Sequence, residues 1–340
     1  MTISRPDGRG KPSRSTIFAR FGSAVGELDN YGGLPTPTES KAIWDDIWHL
    51  EAHNSTAIEG NTLVLKEVKS LLDQKRTVGG KELKDYMEVL GYGEAASWVY
   101  SQARSRSDYS SGLVTVTEIR RIHEVALHHV WEVAPHPEAY DTESPGSFRR
   151  HDIHPFSGGM TPPPWVDVQP QLTTWVDQAN AFGDAVADGS LAPQEIPLHL
   201  ASLHAGFERI HPFLDGNGRT GRLVLNLILV RLGFPPAIIY KSDRERYLRA
   251  LDKADKGDAA PLAERIARSV IDNLHRLVIP NIAGPAKLVP LRSLASEEHT
   301  YSALRQAAAR GRLEAVYGSD GAWRSSRHAV EQYLRSKYQR

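Results

Sequence analysis

His211-Pro-Phe-Leu-Asp-Gly-Asn-Gly-Arg-Thr-Gly-Arg222 gathers an imidazole, a carboxylate, an amide, three glycines and two guanidiniums into twelve residues. The run that follows, Leu223-Val-Leu-Asn-Leu-Ile-Leu-Val-Arg-Leu232, is apolar on almost every side. Gly233 ends it and Pro235-Pro236 bars its continuation, so it spells a buried helix. The polar stretch therefore feeds the N-terminus of a core helix. Gly216, Asn217 and Gly218 let backbone N–H groups converge there, and a helix N-terminus attracts anions. Arg219 and Arg222 stand three apart, so both guanidiniums lie on one face near that end. The stretch predicts a polyphosphate site. Asp215 adds an oxygen ligand suited to Mg²⁺, which binds through one or two carboxylates plus phosphates. His211 is the member of the loop that exchanges a proton near neutral pH.

Other readings of these letters fail on context. Gly216-x-Gly-x-x-Gly221 matches the dinucleotide fingerprint, but no strand pattern precedes it and no parallel strand follows its helix. A loop whose glycines merely turn the chain leaves the clustered His, Asp, Asn and paired Arg unexplained. The pattern His-x-Phe-x-Asp-Gly-Asn-Gly-Arg-x-x-Arg resembles the signature of Fic-domain (Fido superfamily) protein adenylyltransferases, with every signature position filled. The resemblance implies a mainly α fold, a Fic-type helical bundle with a small β-hairpin flap. It implies transfer of AMP from ATP to a Ser, Thr or Tyr hydroxyl of a target protein. His211 would take the proton, Phe213 anchor the loop, and Asp215 hold Mg²⁺. Gly216, Asn217 and Gly218 would cradle the phosphates, Arg219 contact them, and Arg222 hold the γ-phosphate.

Upstream, Ile43, Ile47 and Leu50 recur at helical spacing before His53-Asn-Ser-Thr-Ala-Ile-Glu-Gly-Asn61. Ser55 and Glu59 share one helix face, and Gly60 is a natural helix stop. A carboxylate at a helix C-terminus meets an unfavourable dipole, which hints at a partner for Glu59. Ser-x-x-x-Glu-Gly resembles the inhibitory-helix motif that one branch of the same family places before its catalytic domain. There the Glu pairs with the second signature Arg, here Arg222.

The chain has 340 residues, equal numbers of basic and acidic side chains, and no cysteine. That length allows two or three domains. Zero net charge argues against a polyelectrolyte binder, and the lack of cysteine excludes disulfides, thiol catalysis and cysteine metal sites. No apolar run approaches membrane-spanning length, so a cytoplasmic protein without a membrane partner is expected. Residues 1–37, polar and basic at their start, read as a mobile arm. Residues 38–110 read as an N-terminal helical region and 111–280 as the catalytic domain. Within the latter, helices are expected after Thr117, over Gln171–Phe182 and over Ile196–Ile210. His123 and His128 are five apart, one too many for a zinc-protease pair, and read as core or surface residues.

Gly146 to Trp165 is the plausible β region of the catalytic part, with a turn at Ser157-Gly158-Gly159. It resembles the family's flap, on whose residues 148–164 a target segment would dock by strand pairing. His154-Pro-Phe156 echoes the signature's opening without its carboxylate or glycines. Tyr247 lies where family members carry an aromatic near adenine, and fits a helix packing face equally well. Pro280–Pro285 reads as a linker. From Lys287 onward ten Lys and Arg stand against five Asp and Glu. Residues 286–340 look like a winged-helix or excisionase-like module, with Arg305 and Arg310 available for DNA or for protein docking. That choice, a homo-oligomer, removal of AMP or transfer of a related phosphate group, and a DNA-binding regulator that only senses nucleotide all stay open at this level.

Overall fold

The structure, a computed structural model, describes residues 12–31, 33–37, 40–77, 79–103, 112–155, 159–282, 288–296, 299–318 and 321–338. Among the described residues it is mainly α-helical, as the sequence predicts, with one small antiparallel sheet that lies in the C-terminal part and not in the expected flap. The helices are α1 (Arg14–Asn30), α2 (Lys41–Ile58), α3 (Leu65–Gln74), α4 (Leu83–Ser101), α5 (Val116–Val133), α6 (Val168–Ala187), α7 (Ile196–Ile210), α8 (Asn217–Arg231), α9 (Arg244–Asp255), α10 (Ala260–Asn273) and α11 (Ile279–Ile282). A C-terminal module follows: β1 (Val289–Pro290), α12 (Tyr301–Ala309), β2 (Val316–Tyr317), β3 (Trp323–Ser325) and α13 (Arg327–Tyr338).

The axis of the bundle is α8. Apart from Gly218 its residues are buried, and α2, α4, α5 and α7 pack around it. Such a helix needs internal partners for its polar side chains. Asn226, midway along it, donates to Glu51 on α2 and accepts from the backbone of Ala237. Arg231 closes its last turn by donating to the Leu113 carbonyl and to Glu118 on α5. Helix α5 starts from Thr115, not Thr117: the Thr115 hydroxyl accepts from Glu118 N–H while the Glu118 carboxylate accepts from Thr115 N–H. Gly91 lies inside α4 and serves close packing. A Cβ there would come within 2.6 Å of the Ala126 carbonyl on α5.

The mobile arm is corrected. Ser13 caps α1, and Ile17, Phe21, Val25 and Leu28 from it are buried on one stripe, with the Phe21 ring 5.6 Å from that of Phe234. The Gly- and Arg-rich start of the segment hides this period of four. Residues 1–11 lie outside the described ones. The expected flap strands are corrected too. Among the described residues of 146–165 no strand forms, and Phe156–Gly158, including most of the expected turn, lie outside them. Pro155 and Pro162-Pro163-Pro164 remove ladder donors, and the segment is held by side chains instead. Buried Arg149 donates to the carbonyls of His151 and Pro163, one on each arm.

Pro280, expected in a linker, lies in α11, and residues 283–287 lie outside the described ones. The module's three strands run in the order β1-β3-β2, all antiparallel, with Val289 opposite Ser325 and Val316 opposite Arg324. Leu291 and Leu304 are buried, Tyr31 donates to the Leu288 carbonyl, and Arg292 pairs with Asp272. The module is thus seated on the helical body. Arg305 and Arg310 face solvent. Among the described residues no helix is long and apolar enough to cross a membrane.

Candidate active site

Helix α7 runs straight into His211, which turns the chain in the left-handed conformation (φ 48°, ψ 61°). Its N–H closes the helix on the Phe207 carbonyl, and its Nδ1 lies 3.0 Å from the Glu208 carbonyl. A carbonyl only accepts, so Nδ1 carries the proton and Nε2 the lone pair. Burial pushes the His211 pKa down to about 4, so the imidazole is a neutral base at physiological pH. Phe213 is fully buried, as expected of the loop's anchor, and stacks on His123 with centroids 3.7 Å apart and planes 5° apart.

The Asn217 side chain is spent on shape. Its Oδ1 accepts from Phe213 N–H at 2.9 Å and its Nδ2 donates to the Phe213 carbonyl at 2.7 Å. What Asn217 offers an anion is therefore its backbone N–H in the first turn of α8. Gly216 precedes that turn at φ 76°, where a Cβ would meet Leu127 at 2.7 Å, and it brings no capping side chain. The first N–H groups of α8 lack an intrahelical acceptor by geometry, so this end is built for an anion.

Asp215 stands beside it. Its Oδ1 accepts from Gly216 N–H, and Arg219 Nη2 reaches both its oxygens at 3.2 Å. Burial raises its pKa, but the Arg219 guanidinium and the Gly216 bond outweigh that and hold the carboxyl below its usual range. The side chain stays 46% exposed. An ionised, accessible carboxylate next to an anion site fits what Mg²⁺ asks of a protein. Arg219 is tethered from behind as well, by Glu88 on α4 at 3.2 Å, and Glu88 in turn accepts from Asn61.

Arg222 is buried, one turn further on. Its Nε donates to Ser55 Oγ at 2.7 Å, and its Nη2 donates to the Ser55 carbonyl at 2.9 Å and to Glu59 Oε1 at 2.7 Å. Ser55 and Glu59, which share one helix face by their spacing, thus both reach Arg222. Burial raises the Glu59 pKa, yet Arg222 and then Arg219 hold it below the ordinary value. Gly60, at φ 110°, ends the helix, and Asn61 N–H returns to the Thr56 carbonyl. A Cβ on Gly218 would sit 2.6 Å from Glu59 Oε1. The Glu59 carboxylate therefore lies over the first turn of α8, where an anion belongs.

Tyr247 does not offer an open platform for a base. It is buried, and its hydroxyl lies 2.7 Å from His204 Nε2. Of its two readings, the packing face is the one realised. Behind Arg222 sit residues that the sequence reading missed. Burial lifts Glu208 on α7 to about 7, and Gly221 leaves room for its carboxylate. Burial likewise lifts Glu51 on α2 to about 7, although Tyr92 and Asn226 donate to it. The signal for each was a glutamate on the apolar face of a helical period.

Set beside known proteins, residues 113–229 match the model of the Fic/DOC family. The protein adenylyltransferase Fic of Nematostella vectensis is 36% identical over 240 residues, 70% of this chain and 49% of that one. The chain thus spans about half the length of the curated relatives it matches. A Fic domain containing signaling protein from Bacteroides thetaiotaomicron superposes with TM-score 0.61 at 25% identity, over 77% of this chain and 97% of that one. A Fic family protein from Desulfovibrio desulfuricans shares the fold over 95% of this chain and 98% of its own, with TM-score 0.53 at 20% identity.

Proposed function

We propose that this chain, whose residues 113–229 match the Fic/DOC family model, transfers AMP from ATP to a hydroxyl side chain of a target protein and is restrained by Glu59. One observation supports this most: a neutral base, an ionised carboxylate, an uncapped helix N-terminus and a buried guanidinium converge within the single stretch His211–Arg222, and the Glu59 carboxylate occupies the anion position.

His211 Nε2 takes the proton of the acceptor hydroxyl as that oxygen attacks the α-phosphorus. The bond from the α-phosphorus to the bridging oxygen breaks, and pyrophosphate leaves. The first-turn N–H groups of α8 and Arg219 neutralise charge on the phosphates, and Arg222 takes the γ-phosphate once Glu59 withdraws. Asp215 would hold Mg²⁺, which supplies further charge neutralisation between the phosphates. Such displacements need positioning, charge stabilisation and one base. The acceptor is proposed to dock along residues 148–164, although the described part of that flap carries no strand to extend.

The test is transfer of α-labelled AMP to protein, with release of pyrophosphate, by the full chain and by Glu59→Gly. Label in protein that His211→Ala does not give supports the reading. Absence of label from Glu59→Gly, with ATP bound, overturns it.

A further inference from the structure

His123, set aside from sequence as a core or surface residue, touches both halves of the site. It lies on α5 and is 2% exposed. Its Nδ1 accepts from Gly146 N–H at 2.8 Å, at the root of the flap. Its Nε2 lies 2.9 Å from the Asp215 carbonyl, in the phosphate loop. Since Nδ1 accepts, Nε2 carries the proton and donates, so one tautomer serves both bonds. The ring lies flat on Phe213. An apolar side chain could stack there equally well, so stacking alone does not call for histidine. What the position demands is a donor and an acceptor on one rigid plane.

The flap root is committed to this contact. Gly146 stands at φ 87°, where a Cβ would meet the Arg120 carbonyl at 3.2 Å, and its own carbonyl accepts from Arg120 Nε at 2.7 Å. Three residues on, Arg149 N–H donates to the Pro212 carbonyl, and Arg149 Nε donates to the His211 carbonyl at 2.9 Å. The flap is therefore tied to the loop at three points, to the backbone of Asp215 through His123 and to the backbones of His211 and Pro212 through Arg149.

Resting on the AMP-transfer reading above, we propose that His123 is a positioning residue for that transfer: by joining Gly146 to Asp215 it holds the flap, and the acceptor on it, in register with the phosphate loop. It touches neither nucleotide nor acceptor. Its loss leaves the anion site and Arg222 in place but lets the acceptor oxygen drift from the line of attack. Misplacement by about an ångström costs on the order of a hundredfold in such reactions.

The experiment uses the full chain carrying Glu59→Gly. Adding His123→Leu lowers kcat for AMP transfer about 10- to 100-fold while the ATP dissociation constant stays unchanged. His123→Gln, whose planar amide carries both a donor and an acceptor, recovers most of the loss. In the otherwise unchanged protein, Mg²⁺ and ATP slow hydrogen exchange at the Gly146 amide, and His123→Leu removes that response. The proposal is overturned if His123→Leu leaves kcat intact, if ATP affinity falls in step with kcat, or if exchange at Gly146 ignores the nucleotide. Should Glu59→Gly itself transfer no AMP, the activity reading fails, and the exchange arm still decides whether flap and loop move together.

Discussion

Glu59 Oε1 lies 2.7 Å from Arg222 Nη2, across 163 residues of sequence. Under the proposed function this contact inhibits by occupancy. Glu59 takes the guanidinium that would hold a γ-phosphate, and it places a like charge over the end of α8 where that phosphate would sit. Ser55 completes the grip from the same helix face, through its hydroxyl and its carbonyl.

Ser55→Ala removes the acceptor for Arg222 Nε but leaves Glu59 and its charge in place. Labelling with α-labelled ATP is expected to rise, by less than for Glu59→Gly. A gain equal to that of Glu59→Gly would mean that helix packing, and not the carboxylate, sets the restraint.

With burial holding the His211 pKa at about 4, the base is neutral far below the usual imidazole midpoint of 6.5. The rate of AMP transfer by Glu59→Gly should show no acid limb above about pH 5.5 from this residue. His211→Ala should abolish transfer with ATP binding retained. A rate that falls with a midpoint near 6.5 would assign the proton transfer to a solvated histidine instead.

Glu51 gives a stability test with a defined sign. Its folded pKa of about 7 exceeds the ordinary 4.5, so the folded state keeps this proton longer than the unfolded one. The stability it contributes is present below pH 4.5 and is lost as pH rises towards 7. The loss is about 3 kcal/mol by the usual conversion. Urea unfolding of the protein and of Glu51→Gln at about pH 5 and about pH 8 isolates this contribution: buried histidines with lowered pKa values act in the opposite sense in both proteins, and the stability of the protein relative to Glu51→Gln should fall at the higher pH. Glu208, shifted the same way, leaves part of the dependence in place. An identical pH loss in Glu51→Gln would contradict an ionisable buried Glu51.

Phe21 tests the first helix. It is fully buried against Phe234, so Phe21→Ala should cost about 3–5 kcal/mol in denaturant unfolding. A change near zero would return residues 14–30 to the mobile arm that composition alone suggests.

What sequence made legible is local chemistry at fixed spacing. The loop His211–Arg222, the helix behind it and the Ser55–Glu59 face all have short-range signatures, and the structure brings them together. The tethers were not legible. Glu88 on Arg219, His123 on Asp215 and Arg149 on His211 are contacts between distant segments, each made by a residue whose neighbours look like an ordinary helix or loop. The flap misled for a physical reason. Glycines signalled a turn, but prolines removed the donors a ladder needs, and a buried arginine replaced the ladder. Tyr247 misled because an aromatic at helical spacing looks the same whether it faces a ligand or a neighbouring helix.

The most direct measurement is a double-mutant cycle on Glu59 and Arg222, read as incorporation of α-labelled AMP. A charge-assisted bond of about 1.5–3 kcal/mol corresponds to roughly one to two orders of magnitude in rate. Glu59→Gly should raise labelling by about that much, and Arg222→Ala alone should leave it low. The double variant should fall back to the low level, a strongly non-additive pair, because the freed guanidinium is what captures the γ-phosphate. ADP should not replace ATP as donor. A double variant as active as Glu59→Gly would contradict the account, because Arg222 would then not be the group that Glu59 withholds.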